Sequence, residues 1–467
     1  MHNDAQANLS GVFQDILVQI MALLDAPDIL SLRRCSKTLQ SASHARILWI
    51  RLFRELLATH NILPSTFPIE TSNQKMLEHI STSPHRFLAR LRRGVLEDAG
   101  AKLEPLSTRS LTTGRSRHRI LHKFTALKLV PGGRFVVTAT QLGLVELWDL
   151  GLDSSASFPK KSKPMATVEV GDMNFGHEGI QLIETPVNDG TGIYMLAISD
   201  EEDEVQLDVF ILNIFTPSPN FHHVGKYAIS VDQIGGGSIY FGPDLILACI
   251  DSEITVWNYV SDSWGCLTEV PYDMDMITVR DNELIAVDRS NGVMLVYRLP
   301  FLHPRNPDAE ATTETAADIP ETTFGEEAVW VATPANSQVS LTNTGFWRLR
   351  IARDDGTSSQ YALHAMGNLY GKVPPMSVPG LFDSSHKPLD RTTTLPGVQD
   401  KDQEVFLDWS PSSQYTLRAS LTGSALCVWM SNERLVPMDY CPVSGRLCVG
   451  EGTQILVMDY LRSPPST

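Results

Sequence analysis

The chain has 467 residues, too many for one small domain at the usual ~150 residues per unit. Its 42% hydrophobic and 20% charged content supplies a sizeable core and excludes a disordered, collagen-like or coiled-coil chain. A formal charge of −16 argues against a general binder of nucleic acid or anionic membranes.

The first residues, MHNDAQANLSGVF, lack a basic patch followed by an apolar run, and nowhere do about 18 apolar residues run together. Neither a signal peptide nor a membrane helix is expected, and the Asn8 sequon is read as chance. The six cysteines are scattered without a CxxC pair, which points to reduced core residues and a cytoplasmic or nuclear location.

From residue 12 the apolar spacing is helical. Leu17, Ile20, Met21 and Leu24 fall at i, i+3, i+4 and i+7, one stripe of an amphipathic helix. Asp25-Ala26-Pro27-Asp28 breaks it, with Asp25 placed to cap the next helix. Ile29, Leu32 and Cys35 begin a second apolar face, and a third helix carries Ala45, Leu48, Trp49 and Phe53. So short a module cannot bury all these groups internally, so part of the surface is expected to meet a partner.

These residues resemble an F-box. Val12, Phe13, Asp15, Ile16, Leu17, Ile20, Met21, Leu24, Asp25, Asp28, Ile29, Cys35, Ser36 and Lys37 stand at that motif's positions, and Leu48-Trp49 at its closing pair. Phe13 replaces the usual Pro, Cys35 a Val and Leu39 a Trp. The resemblance implies docking to the Skp-type adaptor of a cullin–RING ubiquitin ligase. The implied contact residues are Val12, Phe13, Ile16, Leu17, Ile20, Leu24, Ile29 and Leu32.

Residues 64–84, rich in Pro, Ser and Thr, read as an irregular connection; Phe87, Leu88, Leu91 and Val95 then recover helical spacing. Residues 86–123 hold ten basic and three acidic side chains, read as a solvated helix and linker.

Beyond residue 115 the period becomes two. Strand–turn–strand units recur at 127–150, 194–212, 243–260, 281–299, 346–365, 411–430 and 444–461. Their third strands end in Trp148, Phe210, Trp257, Tyr297, Tyr361, Trp429 and Met458. Such repeats imply a β-propeller of about seven blades. They resemble degenerate WD repeats, with Trp148-Asp149 the one intact WD pair. The last unit leaves no room for a fourth strand, which residues 119–122 are expected to supply. Glu201-Glu202-Asp203-Glu204 reads as a hairpin tip, Gly235-Gly236-Gly237-Ser238 as a turn, and 301–325 and 367–404 as surface segments.

No phosphate-binding loop, nucleophile elbow or zinc-site motif is present, and adjacent His222 and His223 would face opposite ways in a strand. The expected class is α+β multidomain: an F-box over 9–57, a linker over 58–115 and an all-β propeller over 116–467. The expected function is a non-enzymatic substrate-recognition subunit of a Skp–cullin–F-box ligase, without cofactor, metal, nucleic acid or membrane, similar to divergent fungal F-box proteins. The other possibility is a propeller scaffold or propeller enzyme whose helices are only a cap. Exposure of Ile16, Leu17, Ile20 and Leu24 discriminates the two.

Overall fold

The computed structural model describes residues 12–462 apart from several turns and connections, the longest being 113–122, 306–330, 380–392 and 395–405. Strands between 331 and 431 are described by their backbone pairing. The 119–122 segment, Asn8 and the Gly235–Ser238 turn lie outside the described residues.

The described residues begin with six α-helices: α1 (Gln14–Met21), α2 (Ala26–Arg33), α3 (Lys37–Ser43), α4 (Arg46–Thr59), α5 (Gln74–Ser81) and α6 (Ser83–Glu97). Two differ from expectation. The residues ahead of Ala45 form a helix of their own because the Ser36 side chain accepts a bond from the Leu39 amide at 3.2 Å, capping α3. The first motif therefore has four helices rather than three. Likewise α5 occupies part of the connection read as irregular, since Asn73 accepts from the Met76 amide at 2.9 Å and Leu77 and Ile80 share a buried face.

From Ser107 onward the chain is mostly β, and the described strands form seven sheets, five of four strands and two of five. Each sequence unit corresponds to the middle of one sheet. The first sheet, for example, runs Phe124–Leu129, Phe135–Thr140, Leu144–Asp149 and Ala166–Glu169 in spatial order, all antiparallel. Short turns fix this order, and Pro131-Gly132-Gly133 makes the first of them with φ of +97° at Gly132 and +72° at Gly133.

Burial on both faces explains why these strands read as nearly continuous apolar runs. In the first sheet Phe135 and Val137 pack toward Met195, Ala197 and Phe210 of the second sheet. The intervening Val136 and Trp148 share a cluster with Cys448, Ile455 and Val457 of the seventh. In the second sheet Leu196 and Ile198 turn to Ile246 and Trp257 of the third. Leu247 and Val256 of the third then meet Leu284 of the fourth. Alternation thus sends odd and even residues of one strand to two different neighbours.

The strand completing the seventh sheet is Ser107–Thr112, which pairs antiparallel with Gln454–Asp459 in register Ser107↔Asp459 to Thr112↔Gln454. It falls in what the sequence assigned to the linker, ahead of the expected 119–122. Its alternation is weak, with Leu111 as its one buried apolar side chain, and its position is set by charge. Arg446 Nε donates to Asp459 Oδ1 at 2.7 Å and Arg109 to Oδ2 at 3.2 Å, with all three side chains at most 7% exposed. Arg446 also donates to the carbonyls of Gly133 and Gly151 at 2.6 and 2.8 Å, and Arg109 to that of Leu150 at 3.1 Å.

The helices join this sheet system through one continuous core. Trp49, Phe53, Ile62, Phe67 and Leu77 share a cluster with Leu111, Phe124, Trp148, Val443 and Ile455. At the joint, a Cβ on Gly132 would lie 3.0 Å from Ile62 Cγ2 and 3.2 Å from Thr66 Cγ2. Arg33 of α2 donates to both oxygens of Glu78 on α5 at 2.7 and 2.9 Å, clamping the first four helices to the next two. Phe87 of α6 meets the Tyr460 ring at 6.3 Å, and α6 also lies against the strands Tyr415–Leu421 and Ser424–Ser431 of the sixth sheet.

Cys249, Cys266, Cys441 and Cys448 are buried as expected, and burial pushes the Cys266 thiol up to about 12. Cys35 is a correction: it lies exposed on the outer side of the α2–α3 turn.

Two outcomes are expected. Asp459→Ala strands two buried guanidinium groups and should cost about 3–5 kcal/mol in urea unfolding, whereas an unchanged midpoint contradicts the closure described. His60, at the end of α4, is pushed down to about 4, first by burial and then by His85. The unfolded chain, titrating near 6.5, therefore takes up a proton that the folded chain refuses, and stability falls as pH drops from 6.5 toward 4. His60→Gln should flatten that slope in unfolding measured across the same window.

Candidate functional site

Helix α1 forms because apolar residues fall on helical spacing after Phe13, and Asp15 in its first turn complements the helix dipole. It ends at Ala22, and α2 restarts with Asp25 at the N-cap position and Pro27 in its first turn, where a missing N–H costs nothing. The Asp25 side chain makes no capping bond, so Pro27 and the backbone carry the break.

This helix has two apolar faces. Leu17 and Met21, four residues apart, are each 1% exposed and belong to the shared core. Phe13, Ile16, Ile20 and Leu23 form the other row at spacings of three, four and three, and are 83%, 47%, 39% and 83% exposed. Gln14, Asp15 and Gln19 lie exposed beside this row as a polar rim. Farther along, Ile47 at the start of α4 is also exposed.

The expected contact residues therefore divide. Phe13, Ile16 and Ile20 are presented together on the open face of α1. Val12, Leu24 and Leu32 are half-buried and pack against the core. Leu17 and Ile29 are sealed inside it, at 1% and 0% exposure, and offer no surface to a partner. Leu23 and Ile47 were missed. The signal for Leu23 was present, since it continues the spacing of Phe13, Ile16 and Ile20 by three more residues.

The open face is held rigidly from beneath. Trp49 is fully buried, its Nε1 donating to the Ser43 carbonyl at 2.8 Å. The Arg33 guanidinium lies 5.6 Å from that ring centre and donates to Ser43 Oγ at 2.8 Å while gripping Glu78. Arg46 of α4 donates to the carbonyls of Ile69 at 2.9 Å and of Ser72, tying α4 to the chain leading into α5.

Among the described residues no group of three or more His, Cys, Asp or Glu is placed to hold a metal, and no helix is long and apolar enough to cross a membrane. His223 bonds Asp208 at 3.0 Å in the second sheet, with its ring against Phe210.

The family comparison agrees with the module that carries this face: residues 9–51 match the F-box domain. No curated protein matches the chain. Among solved structures, the chain is similar to a crystal structure of Raptor from Chaetomium thermophilum, at 10% identity and a TM-score of 0.42. That likeness covers 96% of this chain but only 39% of the other, and it is too loose to carry an argument.

The two faces of α1 should separate in mutagenesis. Leu17→Ala opens a cavity in the core and should cost about 2–5 kcal/mol of stability. Ile20→Ala, on the open face, should stay within about 1 kcal/mol. Equal losses in thermal unfolding would contradict the assignment of faces.

Proposed function

We propose that this chain is the substrate-recognition subunit of a Skp–cullin–F-box ubiquitin ligase and performs no chemistry of its own. F-box domains bind Skp-type adaptors in cullin–RING ligases, and residues 9–51 are such a domain. The observation that carries the reading is the exposed row Phe13, Ile16, Ile20 and Leu23. Burying each of these side chains is worth about 1.5–3 kcal/mol, enough for four together to offset much of an association cost of about 4–15 kcal/mol. A helical cap without a partner gives no reason to align four large apolar groups in water beside a well-filled core.

The second half of the proposal concerns the sheets. In this reading the seven sheets are blades of a degenerate WD-repeat-like propeller, and its loops hold a protein substrate. Face-to-face stacking from the seventh sheet through the first to the fourth supports it, as does the pairing of the first and last described strands of the β region in one sheet. The ligase's catalysis then lies in other subunits, and this chain contributes proximity, in the cytoplasm or nucleus.

The test is co-purification of the full chain with a Skp-type adaptor and a cullin, comparing wild type with Ile20→Asp and Leu23→Asp. A carboxylate forced into a dry interface costs several kcal/mol, so both variants should lose the adaptor while their thermal unfolding stays at the wild-type value. Wild-type chain eluting without adaptor, or variants that keep it, would sink the ligase reading.

A further inference from the structure

Where α5 and α6 meet the seventh sheet, a small concavity gathers Arg86, Arg446 and Arg462 around Asp459, with His79 at its side. Its charges do not balance. Asp459, the carboxylate in the lining, is already consumed, one oxygen by Arg446 at 2.7 Å and the other by Arg109 at 3.2 Å. Arg86 donates to the His79 carbonyl at 2.8 Å, but its Nε is buried without a hydrogen-bond partner. Among the described residues no carboxylate pairs with Arg86 or Arg462. Burial, reinforced by Arg86, favours the neutral form of the His79 ring and outweighs the opposing pull of the Arg462 carbonyl, 2.9 Å from its Nε2.

Three arginines thus line one small space, Arg446 buried, Arg86 half-buried and Arg462 at its exposed rim, in a chain whose net charge is −16. Like charges brought together out of water repel, and the missing counter-charge is an anion with several acceptor oxygens. We propose that this concavity binds a compact oxyanion of the phosphate class, held by Arg86 and Arg462 against the fixed guanidinium of Arg446. The small space suits a single phosphoryl-sized group rather than a nucleotide. A bound ion would brace α6 against the end of the last sheet, so occupancy should raise the stability of the helix–sheet joint. The inference is independent of adaptor binding and survives or fails separately from it.

The experiment uses the full chain, with thermal unfolding and calorimetric titration by inorganic phosphate against chloride at matched ionic strength. The expected result is a saturable rise in Tm, with at least tenfold weaker apparent Kd in Arg86→Gln and in Arg462→Gln and no change in Arg51→Gln. Should Arg86→Gln disturb folding, Arg462→Gln decides, since its side chain is exposed and supports no structural bond among the described residues. Phosphoserine binding more tightly than phosphate would identify a phosphoryl group on a larger molecule, and the reverse order a free ion; either supports the site. No rise beyond the chloride control, or the same rise in all three variants, means an adventitious ion only and overturns the proposal.

Discussion

The carboxylate of Asp459, locked between Arg446 and Arg109, is the constraint on which the rest of the structure depends. It belongs to the last strand of the last sheet, and its partners come from the neighbouring strand and from the first strand of the β region, about 350 residues earlier in the chain. Arg446 reaches on to the first sheet's Gly133 carbonyl. The last hairpin, the closing strand and the first turn of the first sheet, three segments distant in sequence, are therefore fixed by one charge. A hydrophobic strand could have closed the sheet by burial alone, but Ser107–Thr112 has too little apolar surface for that. Charge supplies specificity instead: an ion pair out of water is costly unless its partners are in place, so only one register of the closing strand satisfies it.

That closure also explains how the helical head is carried. The chain passes from α6 into the closing strand, so both ends of the sheet system lie under the helices. Ile62, Thr66 and Phe67 then fill the space over the Gly132 turn, and the Arg33–Glu78 clamp fixes the first helices to α5. Helices and sheets share one core rather than meeting at a linker. Under the function proposed above, this shared core matters more than any single contact. On that proposal a rigid joint would set the distance between adaptor and substrate, whereas a flexible one would dilute that distance over many positions.

Much of this was legible in the sequence because it is local. The seven hairpin units, the Pro27 break and the buried Leu48-Trp49 pair follow from turn chemistry and periodicity over a few residues. What failed was decided at long range. Helix α1 carries apolar residues on both sides, and spacing alone cannot say which row faces inward; the stripe through Leu17, Ile20, Met21 and Leu24 mixes the two. The inner row is chosen by α3 and α4, which the pattern of α1 does not encode. The closing strand was missed for the same reason: its signal lies in Arg109 and Asp459, whose pairing is invisible until the fold brings them together. Helix α5 hid behind a Pro- and Ser-rich composition, although Asn73 with the buried pair Leu77 and Ile80 marks its start.

That helices and sheets form one cooperative unit is tested most directly by native-state hydrogen exchange. The account predicts that amides in the closing strand 107–112, in the last strand 454–459 and in α4 and α5 open together, with one free energy close to that of global unfolding. Rapid exchange through the helices and the closing strand while the remaining sheets stay protected would contradict it, and would make the head a separate domain on a loose tether.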